Sequence, residues 1–349
     1  MLAELLPQQE KYNMLTADLI KQQAKAMGAD CVGIASIDRF EGAPIQQDPR
    51  QIMPEAKSVI AVAFRVNRGS LRGIEEGTFF SNYSAMGYGG ITYLFMPMVV
   101  MNMARMIEDE GYEAIPYGHQ SDWRAIDQDG DTRANYSRPV EPGRAAPDVA
   151  VNLRIAAYLA GLGEIGYSKV FLTPEFGPRQ RVGIIITDLE LEPDPIYNGT
   201  PLCNRCMACV RECPGKAISG DKTVKVSLAG HDVEWGELDC AACDVAFRGG
   251  KILTDPENEH EYVDGTMYDN KITPSEISPF YKKPRNLYNT GQAVCGGRGC
   301  MRACMINMEA RGVVDNKFHS KFRRRKPWTI DWSTDPATEE TEKYDSGTD

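Results

Sequence analysis

The 349-residue chain has no run of 18 apolar residues, no charged and apolar leader at its start, and no twin-arginine pair ahead of its body. A membrane span and an export signal are therefore not expected, and the sequence reads as that of a cytoplasmic enzyme. Positive charge is also scarce. Lys and Arg total 39 against 49 Asp and Glu, a formal charge of -10, and FRRRK at 322–326 is the one dense basic run. Nucleic-acid binding as the main task is disfavoured, because neutralising phosphates takes a positive surface. Disulfide density is missing as well: ten cysteines in 349 residues fall far short of a cross-linked scaffold.

The cysteines that are present are concentrated. Nine of the ten lie beyond residue 200, and Cys203, Cys206, Cys209 and Cys213, followed by Pro214, spell C-x2-C-x2-C-x3-C-P. Three thiolates at that spacing can converge on one face of a cubane while the fourth turns to another cluster, the pattern of two-cluster 4Fe-4S ferredoxins. Zinc ribbons would use pairs of CxxC and not three consecutive steps ending in Cys-Pro. Further ligands are available in Cys240 and Cys243 (CAAC) and in Cys295, Cys300 and Cys304 (VCGGRGCMRAC). Cys31, in DCVGIA, reads as an ordinary buried thiol.

A chain of this length normally makes about two domains, and 42% hydrophobic residues can fill a sizeable core. Apolar periodicity predicts a helix in ADLIKQQAKAMG, strands in CVGIASI and SVIAVAFRV, and a methionine-rich helix from Tyr93 to Glu110. A strand in GYEAIPYG, a helix in VNLRIAAYLAGLG and a strand at 181–191 follow, giving an α/β body of helices on a sheet. The methionines read as core filling. Residues 118–147 are polar and aperiodic, as in a lid or binding loop. EPDPIYNGTP is a proline-marked linker into the cysteine-rich part, and the acidic stretch beyond 332 reads as a disordered or surface-draped tail. The expected division is a catalytic domain at 1–197, a cluster domain at 198–320, and a basic turn with acidic tail at 321–349.

Gly161, Gly163 and Gly166 in GLGEIG match G-x-G-x-x-G, but a dinucleotide site needs a strand before the glycines and a helix after them. Here a helix precedes and the apolar VFLTPEFG follows. The three glycines are expected to allow close backbone packing against a flat ligand or another element.

LAGLGEIGYSKVFLTPEFGPRQRVGIIITDLELEPDP, running into CNRCMACVRECPGKAI, resembles the core of the corrinoid iron-sulfur reductases, which comprise reductive dehalogenases and epoxyqueuosine reductases. The likeness extends to GADCVGIASID, PEAKSVIAVAF and the helix near Tyr93, about residues 15–305 in all. TPEFGPRQR ahead of the ferredoxin run is closer to the dehalogenase branch, and the helical-repeat extension expected of the tRNA-modifying branch is not in the sequence. The resemblance implies an α/β (α+β) fold: a nitroreductase-like domain binding cobalamin base-off, followed by a ferredoxin-like domain with two 4Fe-4S clusters. It further implies a small-molecule substrate whose carbon-halogen or carbon-oxygen bond is cleaved reductively, and an external low-potential electron donor, a ferredoxin or flavodoxin. The DxHxxG loop that supplies a lower ligand in other cobalamin proteins is absent, as base-off binding requires, and the four histidines offer no obvious axial ligand.

Residue by residue, the resemblance puts the proton-donating tyrosine of the dehalogenases at Tyr93 and the site arginine at Arg181, a cation for the phenolate or a halide contact. His119 stands where dehalogenases carry an asparagine. Asp148 lies about one residue out of register with the catalytic aspartate of the epoxyqueuosine branch, and would otherwise cap the next helix. Both, with Gly161, Gly163 and Gly166, are expected at the corrinoid pocket. The crossed ferredoxin arrangement gives Cys203, Cys206, Cys209 and Cys304 to one cluster and Cys213, Cys240, Cys295 and Cys300 to the other. The second motif here, C-x4-C-x3-C followed by Met305, departs from C-x2-C-x3-C-P, and Cys243 is a ninth candidate behind Cys240. The long loop and the altered second motif favour a competing reading as a corrinoid-free electron carrier. Epoxyqueuosine reduction on tRNA is a third.

Overall fold

The computed structural model describes residues 15–76, 82–118, 140, 149–247, 252–253, 261–262, 295 and 299–322. Thr16 starts the first helix, α1 (Ala17–Ala26), by accepting a hydrogen bond from the Leu19 N–H at 3.2 Å. Ile20 and Ala24, one turn apart, are its buried residues. Strands β1 (Cys31–Ser36) and β2 (Ser58–Arg65) follow, then a short α2 (Arg72–Glu76). A wide-wound π-helix over Tyr83–Phe95 runs on into α3 (Met96–Glu108), which leads to β3 (Ala114–Tyr117). Next come α4 (Leu153–Leu159), the two-residue strands β4 (Glu164–Ile165) and β5 (Phe171–Leu172), and β6 (Gln180–Thr187).

The order β1-β2-β6-β3 forms one antiparallel sheet. Seven of the eight residues of β2 are buried because helices cover both faces. Period-two alternation sends Val59, Ala61 and Ala63 into a core shared with Ala156 and Ala157 of α4. Ile60, Val62 and Phe64 go to the other side, against Ile20 of α1 and Met96, Val100 and Met103 of α3. The body is thus a mixed helix-and-sheet fold whose main sheet is antiparallel. Cys31 is 5% exposed, and burial, then Glu175, pushes its thiol pKa up.

The methionine-rich helix begins at Tyr83, well before Tyr93. Gly87, Gly89 and Gly90 lower the helical signal of that stretch, and its winding is i to i+5, as in the bond from the Met96 N–H to the Ile91 carbonyl. Met96 and Met103 are fully buried, whereas Met98 and Met101 are exposed, so core filling accounts for part of the methionine content. Among the described residues, Tyr83–Glu108 is the one helix long and apolar enough to cross a membrane. Its α3 half packs on the sheet through Met96, Val100 and Ile107.

Beyond the sheet come α5 (Ala208–Arg211), a hairpin of β7 (Ile218–Leu228) and β8 (His231–Leu238), and α6 (Cys240–Phe247). The short pair β9 (Ile252–Leu253) and β10 (Glu261–Tyr262) and a final helix, α7 (Cys300–Arg311), complete the described elements. Charged bonds fasten this last helix to the sheet body. Arg302 pairs with Glu75, Arg68 with Glu309 at 2.9 Å, and Arg179 donates to Asn316 Oδ1 at 2.9 Å just past the helix. The polar loop, apart from residues 118 and 140, and the acidic tail lie outside the described residues.

Candidate redox site

Two groups of thiols form in the second part of the chain. The first comprises Cys203, Cys206, Cys209 and Cys304, which line one pocket together with Gly166, Tyr167 and Met207. The pocket is partly open to solvent. Left-handed backbone at Arg205 (φ 51°) and Met207 (φ 58°) winds the loop tightly around it. The Tyr167 N–H donates to Cys203 Sγ at 3.3 Å, and Glu164 accepts from the Cys203 N–H. Burial, followed by the charge of Cys203, pushes the Cys209 and Cys304 thiols up. Crowded thiols that resist ionisation in one another's company are relieved by a metal, which holds them as thiolates.

The second group comprises Cys213, Cys243, Cys295 and Cys300. Burial pushes Cys300 up to about 12, with Cys243 and Cys213 as the next causes. Cys295 is pushed up by burial, then by Cys300, Cys243 and Cys213. Cys240 is exposed and is not among the main causes of either shift. The Ala217 N–H donates to Cys213 Sγ at 3.4 Å. Helix α7 serves both groups, since Cys300 and Cys304 are four residues apart on one face. Among the described residues, no three Cys, His, Asp or Glu side chains gather closely enough to hold a single metal ion.

A cluster of tyrosines and arginines faces the second thiol group. Arg181, entering β6, donates to the Tyr83 hydroxyl at 2.7 Å, and its guanidinium lies 4.7 Å from the Tyr88 ring centroid. The Tyr88 and Tyr93 hydroxyls are 3.3 Å apart. Burial raises the Tyr83 phenol pKa; Arg181 opposes the rise, and Cys295 and Cys300 add to it. Arg154, at the start of α4, is exposed, and the charges of Cys243 and Cys300 act on its guanidinium. Lys169, in the β4–β5 turn, has its pKa lowered by burial and then by Arg154. Two buried polar atoms of this region, Thr92 Oγ1 and Arg181 Nε, have no hydrogen-bond partner among the described residues.

Tyr93 and Arg181 therefore belong to one cluster, with Tyr88 between them. His119 and Asp148 lie outside the described residues. A Cβ on Gly161 would overlap the Pro195 carbonyl oxygen, and one on Gly163 the Leu172 carbonyl oxygen. What meets these two glycines is the chain's own backbone, and Gly166 likewise faces the Leu172 side chain. Sequence reasoning missed Tyr83, Tyr88 and Arg154. The first two were visible only as a spacing: 83, 88 and 93 repeat every five residues, which aligns side chains on a π-helix and scatters them on an α-helix.

No family model matches the chain. A tetrachloroethene reductive dehalogenase of Desulfitobacterium hafniense is 40% identical over 98 residues, 27% of this chain and 17% of that protein. An epoxyqueuosine reductase of Gloeobacter violaceus is 29% identical over 248 residues, 63% of this chain and 66% of that protein. A tetrachloroethene reductive dehalogenase of Sulfurospirillum multivorans is 26% identical over 234 residues, 57% of this chain and 40% of that protein. The matches thus span between 17% and 66% of these relatives' own length. Among solved structures, a catabolic reductive dehalogenase aligns with a TM-score of 0.47 at 20% identity, over 85% of this chain and 35% of that one. The epoxyqueuosine reductase of Streptococcus thermophilus aligns with a TM-score of 0.43 at 18% identity, over 84% and 80%.

Proposed function

Because its sequence relatives put the chain in the superfamily of reductive dehalogenases and epoxyqueuosine reductases, we propose that it is a corrinoid-dependent iron-sulfur oxidoreductase that reductively cleaves a carbon-halogen bond of a small molecule. The observation that carries this reading is the arrangement of the thiols. One group of four lines an accessible pocket, and the other faces Tyr83, Arg154 and Arg181. Sulfurs spread around a pocket suit the corners of a cubane better than a single ion, which would draw four ligands to about 2.3 Å. Cys203, Cys206, Cys209 and Cys304 would hold one cluster; Cys213, Cys243, Cys295 and Cys300 would hold the other. Cys243 replaces Cys240 in this assignment because Cys243 shares the electrostatics of Cys295 and Cys300. Electrons from an external low-potential donor would enter at the first cluster, whose pocket opens to solvent, and leave from the second.

Arg181 Nε, without a hydrogen-bond partner among the described residues, fits a polar ligand bound beside Tyr93. A corrinoid held there would supply low-valent metal chemistry for the cleavage. The chain's own residues supply the rest. Tyr93 delivers a proton to the carbon, and Arg181 fixes the tyrosine cluster and offers positive charge toward the departing anion. Arg154 balances the negative charge of the second cluster.

Anaerobic purification in the presence of cobalamin, with iron, sulfide and cobalt counted per chain, tests this reading. About eight irons and one cobalt are expected. Eight irons without cobalt would leave a two-cluster electron carrier and overturn the corrinoid assignment. A second reading, epoxyqueuosine reduction, is favoured by the 248-residue alignment to an enzyme of that name. It predicts binding to an anticodon stem-loop that weakens steeply with salt.

A further inference from the structure

We propose that Tyr88 is a positioning residue that makes Tyr93 a working acid, by donating its hydroxyl hydrogen to the Tyr93 oxygen as Tyr93 gives up its own proton. The inference rests on the reductive reading above and adds a residue to it.

Arg181 reaches the tyrosines through Tyr83 and Tyr88. The arginine's Nη2 is spent on the Tyr83 hydroxyl at 2.7 Å, and its guanidinium faces the Tyr88 ring at 4.7 Å. Tyr88 in turn reaches Tyr93 twice, hydroxyl to hydroxyl at 3.3 Å and ring to ring edge-on, with centroids 5.8 Å apart and planes at 82°. Phe247 of α6 closes the far side of Tyr88, edge-on at 5.4 Å. The Tyr88 ring is 3% exposed and cannot swing away to water.

The chemistry follows from that packing. When the carbon-halogen bond is cleaved by two electrons from the external donor, the halide leaves with one electron pair and the carbon keeps another. The Tyr93 O–H bond then breaks, its proton goes to the carbon, and its electron pair stays on the phenolate oxygen. That oxygen needs a hydrogen-bond donor that will not itself ionise. Tyr88 meets the requirement, because burial, with Tyr93 next, holds its phenol protonated well above the ordinary range. Arg181 and Tyr83 are further charged and titratable groups that act on it. A cation over the ring draws electron density from the phenol and strengthens its O–H as a donor. Tyr88 keeps its proton throughout, and water restores the proton of Tyr93.

The test is Tyr88→Phe, which keeps the ring, the Phe247 contact and the Arg181 stacking and loses only the hydroxyl. Tyrosine is labelled with 13C at Cζ in the cluster-bearing protein, and Tyr93→Phe identifies the Tyr93 signal. The proposal expects that signal to titrate about one pH unit higher in Tyr88→Phe than in the wild type. An unmoved or lowered midpoint overturns it. Should Tyr88→Phe not fold, Arg181→Gln reads the same arm, with an upward displacement expected and none overturning the proposal. Because this readout needs no turnover, it stands apart from failure of the reductive reading, which would appear as no dehalogenation by the wild type. Where turnover is seen, Tyr88→Phe should lose about 10- to 100-fold in kcat with KM within about twofold.

Discussion

Cys240 and Cys243 stand less than one turn apart on α6, and their surroundings differ enough to give them different fates. Cys243 appears among the charges that act on both Cys295 and Cys300, while Cys240 is exposed and acts on Arg154 and Lys169. Cys243→Ser should therefore reduce the iron content from about eight to about four per chain, whereas Cys240→Ser should keep about eight. Colorimetric iron analysis of the two anaerobic variants decides the matter. Arg154 carries a second residue-level expectation. Reduction adds negative charge to a cluster, so a cation beside Cys243 and Cys300 favours the reduced form. Removing it in Arg154→Gln should lower the potential of the second cluster by roughly 30 to 60 mV, on a scale where 59 mV is tenfold for one electron. Arg154→Lys should restore most of it, and an EPR-monitored titration that finds equal potentials would refute the assignment. The cysteine spacing made the first ligand set legible from sequence, since three of its four members lie within seven residues. Choosing between Cys240 and Cys243 required knowing which face of α6 turns toward α7, a long-range contact that no local pattern encodes.

Elements were legible where burial imposes a period. Strands β1, β2 and β6 are apolar runs buried on both faces, and α1 carries its cap and its inward stripe in the sequence. The π-helix was not legible as such. Its glycines argue against a helix, its winding displaces the familiar three-and-four spacing, and its stability comes from contacts made elsewhere, such as Tyr83 against Arg181 and Tyr88 against Phe247. The segment leading into the β4–β5 hairpin is another case, because GLGEIG reads as close packing against a flat ligand or another element, and only the fold shows that Gly161 meets the Pro195 backbone and Gly163 the Leu172 backbone. Gly161→Ala adds a methyl that overlaps the Pro195 carbonyl, at φ +78°, and should cost roughly 2 to 4 kcal/mol. Gly42 shares that φ but has open space around it, so Gly42→Ala should cost only about 1 kcal/mol. Denaturant melts that rank the two equally would show that the close approach carries no energy.

At the scale of the whole molecule the two parts are stabilised differently. Among the described residues the sheet body has two large cores, to one of which Val233 and Trp235 of β8 add, whereas the clusters around the thiols are small, such as Tyr167 with Cys209 and Ile218, or Leu172 with Leu202, Met308 and Val314. Clusters that small do little to offset the cost of ordering the chain around them, and bound iron-sulfur clusters would supply the rest. The ion pairs that join the parts do not change this balance. Arg302 and Glu75 are both buried, so Arg302→Ala takes a cation away from a buried carboxylate and should cost roughly 3 to 5 kcal/mol. The pair as a whole is worth much less than that, because desolvation consumes most of its attraction. Stripping iron with a chelator should therefore loosen α5, α6 and α7 while the sheet β1-β2-β6-β3 survives. Limited proteolysis of the stripped protein should cut first within 198–322 and leave a fragment that retains most of the strand signal in far-UV circular dichroism. Heating should then show two transitions where the iron-loaded protein shows one. A stripped protein that melts once, at the temperature of the loaded form, would mean that the small cores and ion pairs suffice and that the thiols contribute no folding energy.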